Sequence, residues 1–183
     1  MEIPVRPNST KVATKWALIY TITSIIITYA IQLTNTSQES PVKYLSYIPF
    51  IAFLLLTQKE FRDELGGYVS FGDAFSAGFR YSLFSGLMLG IFTYLYFAIL
   101  SPAVWEQIVE VSRTKMEAQN LPDAQVDKAI EMTRKYGPVF GGFGVAIMMT
   151  IFGVIVALIG AAIFKKERSP FDIAENAIDP TEA

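Results

Sequence analysis

Residues 139–164 read VFGGFGVAIMMTIFGVIVALIGAAIF, a run of 26 residues without a single charge. At about 1.5 Å of rise per residue such a helix outreaches a hydrocarbon layer roughly 30 Å thick, so it must tilt or protrude. Three more stretches share its character: residues 16–33, 41–58 and 81–100. The chain is 17% charged and its mean hydropathy is only +0.37, yet these four stretches contain one charge, Lys43. Charge so unevenly spread marks a polytopic membrane protein rather than an oily soluble one. The expected fold is all-α, four transmembrane helices in a bundle.

The second stretch is the weakest of the four. A crossing over 41–58 requires Lys43 to extend its ammonium to the headgroups, and a re-entrant hairpin competes with it. The run Ile51-Ala52-Phe53-Leu54-Leu55-Leu56 favours the crossing. The first stretch follows Lys11 and Lys15 as a signal peptide would, but no small-x-small cleavage site follows Leu33, so a retained signal anchor fits better.

Four crossings place both ends of the chain on one side. Arg6, Lys11, Lys15, Lys59, Arg62, Arg80, Lys165, Lys166 and Arg168 gather there, against Lys43, Arg113, Lys115, Lys128, Arg134 and Lys135 opposite. The positive-inside bias therefore puts both termini in the cytoplasm, although Arg134 and Lys135 abut the fourth helix on the wrong side. Trp16 and Tyr81 mark one interface, and Tyr29, Tyr44, Tyr94, Tyr96, Trp105 and Tyr136 the other.

Cys and His are both absent. Thiolate nucleophiles, disulfides, Cys/His zinc sites, haem attachment and His-based triads or proton relays are thereby excluded. The net charge of −2 offers no basic footprint for nucleic acid. No cofactor and no catalytic or metal-ligating residue is predicted. Glu60, Asp63 and Glu64 could offer oxygens to a divalent cation, but the interleaved Lys59 and Arg62 make them a solvated face.

Small residues recur at every fourth position of the third helix: Ala74, Gly78, Ser82, Gly86 and Gly90. The fourth carries two such rows, Gly142, Ala146, Thr150 and Gly153, Ala157, Ala161. Each row is a shallow stripe that lets another backbone come close, which is how helices associate where lipid competes for apolar contact. Packing within one bundle and a seam between copies or subunits both fit these stripes.

Between the second and third helices, Gly66-Gly67 is a helix stop, and Ser70 with Asp73 three residues on resembles a capping box. The third helix is thus expected over 71–100. Asp73 and Arg80, seven apart and near one face, form a possible polar or lipid-headgroup site; alternatively Asp73 complements the helix N-terminus while Arg80 reaches phosphates. Residues 101–138 have a helical grammar of their own. Ser101-Pro102 starts one amphipathic helix, Asn120-Leu121-Pro122 breaks it and starts another, and Gly137-Pro138 is expected to end the second. The result is an extracytoplasmic amphipathic helical hairpin between helices 3 and 4, its apolar faces packed on each other, on lipid or on a partner. A disordered acidic cytoplasmic tail, 169–183, follows the domain over 1–168.

The approach to the third helix, Gly67-Tyr68-Val69-Ser70-Phe71-Gly72-Asp73-Ala74-Phe75, and the final run from Ala157 to Lys166 resemble the bacterial inner-membrane family catalogued as domain of unknown function 4199. The resemblance covers about residues 11–168. It implies four helices in a Gram-negative inner membrane, implies no activity, and carries over no catalytic residue.

Three functions compete. The first is a non-enzymatic accessory or structural subunit of a larger membrane complex or homo-oligomer, whose partners are the lipid bilayer and other membrane subunits or itself. A small solute or ion transporter or channel comes second; the spans offer it no ionisable residue at mid-depth, only Arg80 at an edge and the amides Gln32 and Gln58. A membrane enzyme comes last.

Overall fold

The computed structural model describes residues 7–33, 47–119 and 121–167. Asn8 starts the first helix: its side chain accepts the Thr10 N–H at 2.9 Å and its carbonyl accepts those of Lys11 and Val12. From there α1 runs over Ser9–Leu33 and α2 over Tyr47–Glu64. The helix stop at Gly66-Gly67 has its physical basis in two left-handed residues, φ +79° and +87°, with the Gly67 N–H donating to the Arg62 carbonyl at 3.0 Å. Then come α3 over Phe71–Leu95, a π-helical turn over Tyr96–Leu100, α4 over Pro102–Glu117 and α5 over Asp123–Phe164. Ser70 caps α3, its Oγ accepting the Asp73 N–H at 3.1 Å and donating to the Asp73 carboxylate at 2.8 Å.

Three helical runs are long and apolar enough to cross a membrane: Ser9–Leu33, Phe71–Leu100 and Asp123–Phe164. α2 is not one of them, because Gln58, Lys59 and Glu60 follow directly on its apolar part. Residues 41–46 of the expected second span, and the tail over 169–183, lie outside the described residues.

Two expectations need correction. Gly137-Pro138 does not end a second outer helix; it lies inside α5, which continues unbroken for 42 residues. Proline deprives the carbonyl four residues earlier of its partner and presses its ring on that carbonyl, a strain the helix accommodates; Gly137 before it adds no Cβ to the crowding and lets the Trp105 ring lie against the helix. Residues 123–164 therefore form one continuous helix. Ser101 does occupy the cap position of α4, but its side chain makes no capping bond. Its N–H instead closes the π turn on the Tyr96 carbonyl at 2.7 Å.

The described residues form two compact units, one comprising those up to Phe84 with those from Phe152 onward, the other those of Ser85–Ile151. In the first, Val12, Phe61, Val69, Ala74, Ala77 and Ala161 bury one another with Trp16, Leu65 and Phe75 against them. Beside that layer Phe50 meets Tyr20 edge-on at 5.2 Å and Tyr81 at 5.4 Å between ring centroids. Val69 and Lys166 exchange both backbone hydrogen bonds at 2.9 Å, tying the α2–α3 turn to the end of α5.

In the second unit Val109 of α4 packs on Val126 and Ile130 of α5, flanked by Trp105 and Met116. Arg113 pairs with Asp127 at 2.6 Å and Arg134 with Glu106 at 3.1 Å. One partner number rises as the other falls, so α4 and the start of α5 run antiparallel. The hydrogen bond to Glu117 and the nearby Asp127 carboxylate hold the Arg113 guanidinium above its ordinary pKa.

Much apolar surface stays outside. Ile22 and Ile26 on α1, Ile91 on α3, and Ile147, Ile155 and Ile163 on α5 are each more than half exposed. Water would penalise burial this inverted by roughly 25 cal/mol per Å² of apolar surface, whereas lipid does not.

Candidate functional site

The buried polar centre of the first unit is Gln58, completely enclosed although Lys59 beside it is solvated. Its Nε2 donates to the Ala157 carbonyl of α5 at 2.8 Å and to the Ala74 carbonyl of α3 at 3.1 Å. Only the amide nitrogen can serve two carbonyls, so this orientation follows from hydrogen-bond chemistry. One side chain of α2 thus clamps two other helices. Its Oε1 has no donor and faces Gly160, where a Cβ would overlap it. Glycine at that point brings a backbone Cα–H to the oxygen instead.

The small-residue rows form the walls of this clamp. A Cβ at Gly78 would stand 2.8 Å from both the Ala157 Cβ and the Gln58 Nε2, and one at Gly153 would run into Ser82 and Phe50. Ala74 and Ala161 are fully buried in the same core. In the second unit the rows continue by bare backbone. A Cβ at Gly90 would lie 2.6 Å from the Gly142 carbonyl oxygen, and one at Gly86 would lie 2.7 Å from the Ala146 oxygen and 2.8 Å from the Thr150 Oγ1. Within each unit, then, the seam residues of α3 face those of α5 in the same chain.

Asp73 and Arg80 go separate ways. Arg80 hydrogen-bonds the Ser9 hydroxyl at the start of α1, and Asp73 bonds Ser70. Asp73 instead lines an open hollow of about 270 Å³ with Tyr68, Lys166 and Glu167. Glu60, read as part of a solvated face, is held by the Lys15 ammonium and by the Trp16 indole N–H at 2.9 Å, fastening α1 to α2. Among the described residues no three His, Cys, Asp or Glu gather as metal ligands.

Gln58 was visible in the sequence only as a borderline amide, and Gly160 fell in neither row. The signal that could have joined them is a polar residue inside an apolar face, which needs a partner helix with no side chain opposite it.

Taken together, the architecture is that of an all-helical protein with three span-length apolar helices, knit by small residues. The chain belongs to the family described as Protein of unknown function (DUF4199), whose model matches residues 15–166. No curated protein and no solved structure matches it.

Proposed function

We propose that this protein is a non-enzymatic integral protein of the bacterial inner membrane, an accessory or structural subunit of a larger complex or a homo-oligomer. The observation that carries this reading is how the interior polar groups are used: Gln58, Thr57, Tyr81 and Ser82 all bond backbone carbonyls of their own chain. Such bonds consolidate a bundle and engage these four side chains within it rather than presenting them to a substrate. The proposed topology is four crossings, α2 included, with both termini cytoplasmic and the α4 side extracytoplasmic. It is supported by the gathering, at one end of the first unit, of the α1 start at Ser9, Glu60 of α2, Arg80 of α3 and the α5 end at Lys166.

Affinity capture of the full chain from membranes solubilised in mild detergent tests the subunit role. A native mass well above 20.4 kDa, with companions or copies at fixed stoichiometry, is expected. A strictly monomeric, solitary chain would refute it.

One observation favours the second reading, a small transporter or channel. Tyr20 and Ser24, one turn apart on α1, are buried with their hydroxyls beside each other and bonded to no backbone carbonyl. Liposome flux abolished by Arg80→Ala would establish that reading in place of the first.

A further inference from the structure

The second unit carries a groove of about 310 Å³ between α3 and α5, lined almost wholly by apolar groups. Its floor is the glycine-alanine seam, Gly90, Gly142 and Ala146; Ile91, Val139 and Phe143 rise as its walls. Its floor carries no side chain larger than the Ala146 methyl, which leaves an apolar surface suited to a hydrocarbon chain.

What lies beyond its end decides the occupant. On a helix, residues four apart share a face, so Val139 leads back to Lys135 and then to Glu131, each about 6 Å further along α5. The Lys135 ammonium lies over the Tyr136 ring, 5.2 Å from its centroid, and no carboxylate among the described residues pairs with it; Glu131 has no ion-pair partner among them either, whereas the neighbouring Arg134 is engaged by Glu106. Lys135 is also, with Arg134, a cation whose position the positive-inside rule leaves unexplained. One face of α5 thus reads, in order, apolar groove, ammonium, carboxylate.

We propose that this face binds one phospholipid with a primary-amine headgroup. Its acyl chain lies over Gly142 and Gly90, its phosphate meets Lys135, and its ammonium meets Glu131. An anionic headgroup such as a glycerol phosphodiester gains Lys135 but brings no cation to Glu131. A quaternary choline has the charge for Glu131 but no N–H to donate. The proposal rests on the reading that α3 and α5 cross a bilayer.

The test uses the full chain in phosphatidylcholine vesicles holding equal minor fractions of phosphatidylethanolamine and phosphatidylglycerol. Flotation and resistance to alkaline extraction report insertion; native mass spectrometry after gentle detergent release then counts the lipids retained. One phosphatidylethanolamine per chain, enriched over the bulk, is expected. Glu131→Gln erases the preference over phosphatidylcholine while lipid stays bound. Lys135→Gln weakens retention of every phospholipid about fivefold, the worth of one interfacial lysine. Ile91→Trp, a change at an exposed wall, blocks the groove and strips the lipid.

Lipid retained in bulk proportions, or indifference to Lys135→Gln, overturns the proposal. A lipid-free dimer dissociated by Ile91→Trp overturns it too, by making a second copy the occupant. A chain that fails to float refutes the membrane reading itself, before any lipid is counted.

Discussion

The α3–α5 seam is built in two ways. In the first unit the close approach is organised around side chains, chiefly the Gln58 amide, with Gly78 and Gly160 making room beside it and Gly153 making room for Ser82 and Phe50. In the second it is backbone on backbone, Gly90 against Gly142 and Gly86 against Ala146. The difference teaches what each glycine is for. Where the opposing atom belongs to a side chain, that side chain can turn away at the loss of its hydrogen bonds; where it is a carbonyl of a helix, nothing can turn.

The comparison is most sharply tested by Gly142→Val, expected to destabilise the protein by about 3 kcal/mol, because the added carbons meet the Gly90 carbonyl and Tyr94. Thermal or denaturant unfolding in detergent measures it. Gly160→Ala comes next at about 2 kcal/mol, and here the comparison can be broken. Combined with Gln58→Ala it should cost clearly less than the two changes summed, since the displaced oxygen is gone; strict additivity would contradict the clamp. Gln58→Leu alone should cost about 1 kcal/mol, the usual scale of a hydrogen bond between membrane helices, since the Ala74 and Ala157 carbonyls keep their helical bonds. Smallest is Glu60→Gln. It weakens a half-exposed pairing with Lys15, so a loss below about 1 kcal/mol, shrinking further in high salt, is expected.

Spacing alone made the seam legible, because glycine and alanine at every fourth position of two apolar helices admit few uses. The span character of α1, α3 and α5 was legible for the same kind of reason, an uninterrupted lack of charge. α2 stands apart, since six residues of its expected span lie outside the described residues and its described part turns polar at Gln58. Pro138 misled because a proline inside a helix costs one hydrogen bond and crowds one carbonyl without having to end the helix, and Gly137 before it lacks the Cβ that would add to the crowding. Glu60 and Arg80 were read by their sequence neighbours, but their partners, Trp16 and Ser9, come from another helix, and no periodicity along one helix reveals a contact across two.

The Val69–Lys166 backbone pair and the Gln58–Ala157 bond, the latter 99 residues apart in sequence, set an order of events during biosynthesis. At about 5–20 residues per second, several seconds separate translation of Gln58 from that of its acceptor. During that interval the amide must wait beside whatever the insertion machinery or the lipid provides. A chain halted before Lys166 would hold its earlier helices with their latch undone, a ready target for quality-control proteolysis.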